Sequence, residues 1–173
     1  MKTAAIIIAV QLAWLACAYG AANAAPWIGV AGCLLALGVS WVLSGNRVAV
    51  LQLALALGGY GFATESLLAA SGLIAYGAPG LAPALAPIWI VTLWMAFAGM
   101  IGPAFGWLND RQIIASIIGA AFSPLSYLAA ARFGALQLAE PIYAPLIGLS
   151  AIWAIALPGA IALHKRLSKR SFR

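Results

Sequence analysis

The chain has 173 residues, 65% of them hydrophobic and only 7% charged, with a formal net charge of +6. A soluble domain carries roughly 25% charged residues, so this composition excludes a water-covered surface and leaves lipid as the solvent. The positive charge sits at segment ends and not in a patch or stripe, which excludes a nucleic-acid partner and fits membrane topology.

A spanning helix needs about 20 mostly apolar residues, and six stretches qualify, at 4–21, 26–43, 48–70, 86–107, 112–133 and 142–163. The connections are too short for a second domain. The expected fold is therefore all-α: residues 1–173 form a single integral-membrane bundle of six transmembrane helices. Apolar residues run continuously instead of alternating, which excludes the barrel pattern. Ala and Leu dominate, and both favour helix.

The first segment follows Lys2 and ends at Ala22-Asn23-Ala24. A basic start, an apolar middle and a small-residue ending also resemble a cleavable signal peptide. The apolar stretch is long for one, and the ending is also an ordinary turn. Cleavage leaves five spans with the rest in the same orientation. Gly20→Leu, near the end of this segment, is expected to matter less than Gly119→Leu in the fifth. Cys17 and, in the second segment, Cys33 read as small buried hydrophobes.

The third segment holds Gly58, Gly59 and Gly61, which favour a bend, and then Glu65. Counted from Arg47 at about 1.5 Å per residue, Glu65 lies about 27 Å across the bilayer. The fourth segment is interrupted by Gly102-Pro103. Trp27, Trp41, Trp89 and Trp107 lie near span ends and read as interface anchors; Trp14, Trp94 and Trp153 lie deeper, in core or lipid-facing positions.

In the fifth segment small residues recur every fourth position, at Ala115, Gly119 and Ser123, followed by Tyr127 and Ala131. Positions i and i+4 share a face, and small residues there let helix backbones approach, so Ala115, Gly119 and Ser123 read as a packing seam. Pro124 frees a carbonyl, which Ser123 or Ser126 is placed to satisfy. Arg132 ends the segment, about 31 Å from Arg111 by the same rise. Its depth matches that of Glu65, which predicts an ion pair; an arginine at a helix end also reaches headgroups without a partner. Asp110 sits beside Arg111 in a turn, and Glu140 precedes Pro141 where the last helix starts. Pro158-Gly159 interrupts the sixth segment, which ends in the basic tail.

With six spans, Lys2, Arg47, Arg111, Lys165, Arg166, Lys169, Arg170 and Arg173 share one side. The bias of lysine and arginine predicts that both termini are cytoplasmic in a bacterial inner membrane. No nucleophile–base set, metal-ligand cluster or nucleotide fingerprint stands in the sequence, so no cofactor and no metal are expected, and an enzyme acting alone is disfavoured.

Three stretches, "TESLLAASGLIAYG" at 64–77, "PIWIVTLWMAFAGMIGPAFGWL" at 87–108 and "SPLSYLAAARFGAL" at 123–136, resemble a bacterial inner-membrane family known as domain of unknown function 2878. The resemblance implies an acid at the place of Glu65, usually aspartate, and an Asn-His pair at Gly102-Pro103. This chain keeps the acid and lacks that histidine, so shared acid–base chemistry does not carry over. Two function classes remain. The favoured one is a carrier or accessory protein that handles membrane lipids or a small molecule at a polar site of Glu65, Arg132, Ser123 and Tyr127 near the outer leaflet. The alternative is a structural or assembly subunit whose seam docks a protein partner or a second copy.

Overall fold

The computed structural model describes residues 1–78 and 80–170. Arg173 of the basic tail lies outside the described residues. Six helices are long and apolar enough to cross a membrane: α1 (Lys2–Ala22), α2 (Pro26–Leu43), α3 (Arg47–Ala70), α4 (Ile88–Phe105), α5 (Gln112–Arg132) and α6 (Tyr143–Arg170). The chain is a multi-pass, all-α membrane protein. Two short strands, β1 (Ile74–Tyr76) and β2 (Leu136–Leu138), pair antiparallel, with Ala75 opposite Gln137. They define a ribbon face; the start of α1 and the end of α6 lie on the opposite, terminal face.

Local chemistry sets the boundaries. Pro26 opens α2, where its fixed φ suits the first helical turn. The Asn46 side chain caps α3 by accepting from the Ala49 amide at 3.0 Å. Helices α3 and α5 end alike. Gly72 (φ 71°) and Gly134 (φ 82°) take left-handed conformations. Leu73 N–H then reaches back to the Leu68 carbonyl, and Ala135 N–H to that of Ala130, each at 3.0 Å. Such closures satisfy orphan helix carbonyls and reverse the chain, and here each launches a strand. The strands were not expected, because three residues give no useful periodicity.

The central helix is α4, which packs on α1, α2, α3 and α6. Helices α1 and α2 approach closely through small residues. A Cβ on Gly29 would stand 2.7 Å from Cys17 Cα, and the sulfurs of Cys17 and Cys33, both buried, are 3.4 Å apart. A Cβ on Gly20 would stand 2.7 Å from the Ala25 carbonyl oxygen and 3.3 Å from the Gly29 nitrogen. The turn folds α2 back directly over Gly20, so enlargement there is obstructed as well.

Helix α5 packs on α6. Ala115, Gly119 and Ser123 are buried on α5. A Cβ on Gly119 would meet the Trp153 carbonyl group, its carbon at 2.9 Å, and Leu157 Cβ at 3.2 Å. Two hydroxyls cross the seam. Ser123 Oγ donates to the Leu149 carbonyl at 3.3 Å, and Ser150 Oγ donates to the Ala120 carbonyl at 3.0 Å. Ala120 lies four residues before Pro124, so its carbonyl is the one the proline frees. The satisfying hydroxyl is Ser150 of the neighbouring helix, not Ser123 or Ser126 of the same one.

On the terminal face, α6 runs to Arg170, beyond the expected end at 163. Leu163 and Leu167, one turn apart, still pack on the bundle and carry the helix onward. Lys165 Nζ meets Asp110 at 2.6 Å. This contact holds the Asp110 carboxyl below its ordinary range, first through the hydrogen bond and then through charge attraction.

Candidate functional site

The residue that most needs a partner in this bundle is Glu65, 1% exposed on α3. An ionised carboxylate costs several kcal/mol to bury unless hydrogen bonds replace its water. Three donors do so. Tyr76 donates to Oε2, Tyr127 donates to Oε1, and Trp94 Nε1 donates to Oε1 at 2.8 Å. They come from β1, α5 and α4, so four elements converge on one side chain. Burial, and then the Glu65 charge, push the Tyr76 phenol well above its ordinary value, which keeps it a donor.

Each donor has a structural reason to be there. Gly61 lies one turn before Glu65, and a Cβ on it would stand 2.5 Å from Trp94 Cδ1; only a glycine lets the indole lie across α3 and reach the acid. Tyr60 braces that indole edge-on at 5.6 Å and donates from its hydroxyl to the Ile152 carbonyl at 3.1 Å. Trp153 of α6 stacks on Trp94 at 4.3 Å. Tyr76 sits on the inward face of β1, edge-on to Trp89 at 5.8 Å. The short ribbon thus delivers a phenol that no helix carries.

The expected Glu65–Arg132 ion pair is not formed. Arg132 is exposed at the end of α5, where a cation complements the helix dipole. Tyr127, five residues earlier, meets Glu65 instead. Five residues turn a helix by about 140° beyond a full revolution, so Arg132 points away when Tyr127 points in. Arg132 also lies about 7.5 Å further along the axis than Tyr127, so both depth and azimuth separate it from the acid. Of the expected polar group, Glu65 and Tyr127 are joined directly. Ser123 lies one turn below Tyr127 and bonds to α6, and Arg132 stands apart.

Beside this cluster lies a groove of about 510 Å³. Helices α1 and α5 form its two sides, α4 its floor, and Trp153 and Leu157 of α6 its back. Trp94, Tyr127 and Ser123 line it, while Glu65 lies behind them. Helices α1 and α5 are not packed on one another along their length. At the ribbon end Trp14 meets Phe133 edge-on at 6.0 Å. Phe122 and Leu125 on the α5 side are 64% and 59% exposed, so the groove opens sideways, at the level of the spans. Its lining is mainly apolar and aromatic, with a few polar groups, Gln11 and Ser126 among them.

This arrangement suits holding an apolar molecule better than attacking one. Both oxygens of Glu65 already accept hydrogen bonds, and two of its donors, Trp94 and Tyr127, form the wall between it and the groove. Sequence reasoning missed Tyr76, the donor role of Trp94, and Gln11. Gln11, an amide in the middle of a span, was the available signal, since polar groups there call for a reason.

No curated protein and no solved structure matches the chain. A family model described as "Protein of unknown function (DUF2878)" matches residues 3–159, a range that takes in α1 to α5, both strands and most of α6. The acid, the ribbon and the groove walls all fall within that range, and the chain belongs to the DUF2878 family.

Proposed function

We infer that the protein is an integral inner-membrane protein of a bacterium that handles lipid, as a carrier or as an accessory to a lipid-processing partner. The observation that carries this reading is the lateral groove of about 510 Å³ between α1 and α5. Ligand sites of this size are concave and mostly apolar, with few polar groups to orient the occupant. A groove open at the level of the spans meets lipid before it meets water. Glu65 and its three donors hold Trp94 and Tyr127 rigidly in the wall, and a preorganised wall lowers the cost of binding.

The orientation belongs to the same reading. Lys2, Arg47, Arg111 and Lys165 lie at the terminal face, and this bias supports a cytoplasmic terminal face with the ribbon face outside. The acid cluster then lies toward the outer leaflet, about 7.5 Å below the end of α3 by helical rise.

Native mass spectrometry of the protein extracted with its membrane lipids tests the function. The expected result is a stoichiometric lipid that survives mild activation and is lost when Ala130→Trp fills the groove. A protein that arrives bare, or with a co-purifying subunit and no lipid, overturns the reading in favour of an assembly role.

A further inference from the structure

Two polar side chains open onto the groove from opposite sides. Gln11 of α1 is exposed, Ser126 of α5 is half-buried, and both line the cavity. Among the described residues, the hydroxyls that cross between α5 and its neighbours are those of Ser123, Tyr127 and Ser150. The Gln11 amide and the Ser126 hydroxyl meet no hydrogen-bond partner among those residues. In hydrocarbon no water stands in for a missing partner, so a polar side chain at that depth is costly and calls for a reason. Both groups are within reach of an occupant of the groove.

Depth narrows what they meet. By helical rise, Gln11 lies about 16.5 Å below the ribbon end of α1 and Ser126 about 9 Å below that of α5. The two ends are close to level, because a Cβ on Gly134 would stand 3.7 Å from Ala22 Cβ. In a hydrocarbon core about 30 Å thick, Gln11 is near the midplane and Ser126 about 7.5 Å nearer the surface. A charged headgroup cannot follow them there without losing its water, but an uncharged flat ring can. The offset in depth suits two acceptor oxygens on opposite edges of one rigid body, not one oxygen shared by both groups. The walls are aromatic: Trp153 stacks on Trp94 at 4.3 Å, Phe97 stands edge-on to Trp153 at 5.1 Å, and Phe122 lies at the mouth. Such rings pack favourably against another flat ring, offset or edge-on. We propose that the groove binds an isoprenoid quinone. Its ring lies between the aromatic walls, one carbonyl oxygen accepts from the Gln11 amide and the other from the Ser126 hydroxyl, and its tail leaves through the lateral opening between α1 and α5. The proposal rests on the lipid-handling reading and specifies its ligand.

The test titrates decylubiquinone into phospholipid nanodiscs that hold the protein and follows tryptophan fluorescence, which a quinone seated beside Trp94 and Trp153 quenches. The wild-type protein should quench to a plateau at equimolar bound quinone, whereas random collision gives a slope without a plateau. One neutral hydrogen bond corresponds to roughly a three- to tenfold change in affinity, so Gln11→Leu and Ser126→Ala should each weaken binding by that factor. The double variant should lose roughly ten- to a hundredfold. Decylbenzene, with a ring and tail but no carbonyl, should displace the quinone from the wild-type protein only at a comparable excess. Should one variant fail to fold, the other alone decides. Quenching without a plateau, an affinity unchanged by the substitutions, or displacement by an equal amount of decylbenzene overturns the proposal. Lipid handling then still stands if native mass spectrometry finds a retained endogenous lipid. With no endogenous lipid retained either, the lipid-handling reading falls with the proposal.

Discussion

Replacing Glu65 by leucine should be among the most damaging single changes in the bundle, and replacing it by glutamine among the more tolerable at so buried a site. The leucine variant strands three donors, from Tyr76, Tyr127 and Trp94. Each buried donor left unsatisfied costs about 1–3 kcal/mol. The two phenols can rotate toward other acceptors and the indole cannot, so about 3–6 kcal/mol is expected in total. Glutamine keeps the shape. Its carbonyl oxygen can stay with Tyr127 and Trp94, while its amide faces Tyr76, whose hydroxyl can turn to accept. That loss should be about 1–2 kcal/mol, the difference between charged and neutral acceptors. Arg132→Gln should be within about 0.5 kcal/mol of the parent, because Arg132 is exposed and apart. Thermal and denaturant unfolding in detergent, read by tryptophan fluorescence, gives all three values. A double-mutant cycle between Glu65 and Arg132 should show no coupling. Coupling between Glu65→Leu and Tyr127→Phe should be large, since the phenol is no longer stranded once its hydroxyl is gone. The donor cage would be refuted if Arg132→Gln were as costly as Glu65→Gln and the double variant recovered the loss, for then the arginine holds the acid.

Gly119→Leu should destabilise the protein by more than the 1–3 kcal/mol usual for overpacking, because the obstacle at Trp153 is backbone; unchanged thermal stability would mean that α5 and α6 are packed differently. Gly20→Leu should also lower the melting temperature, since the Ala25 carbonyl and the start of α2 lie over it, and a melting temperature equal to the parent's would contradict that turn. Asp110→Asn should lower stability slightly at neutral pH. The native contact with Lys165 depresses the carboxyl, so its contribution is present above the ordinary carboxylate range and lost as pH falls through the depressed native value; the parent and variant curves should therefore converge on acidification. Reporter fusions at Ala78 and at the C-terminus should report opposite sides, with the C-terminus inside, and the same side for both would end the six-span reading.

The spans were legible because hydrophobic length is a property of consecutive residues. Five of the six helices begin and end within two residues of the expected limits, and the sixth departs where Leu163 and Leu167 keep a polar tail on the bundle. The acid was legible for the same reason: one carboxylate in an apolar run is visible without a structure. Its partner was not. Depth along a helix can be counted, and depth alone nominated Arg132. Contact needs azimuth as well, and the rotation of about 140° from Tyr127 to Arg132 reverses the choice. Tyr76 was harder still, because its position depends on two left-handed glycines, Gly72 and Gly134, launching strands from different helices that then pair. No periodicity within either segment encodes that meeting. The groove belongs to the same class, since it exists because α1 and α5 flank α4 without closing over it, a relation among three helices far apart in the chain. Gln11 is the instructive exception. An amide in the middle of a span requires a reason by itself, and Gln11 gives a mainly apolar groove a polar point, which is where selectivity between two otherwise similar occupants would arise.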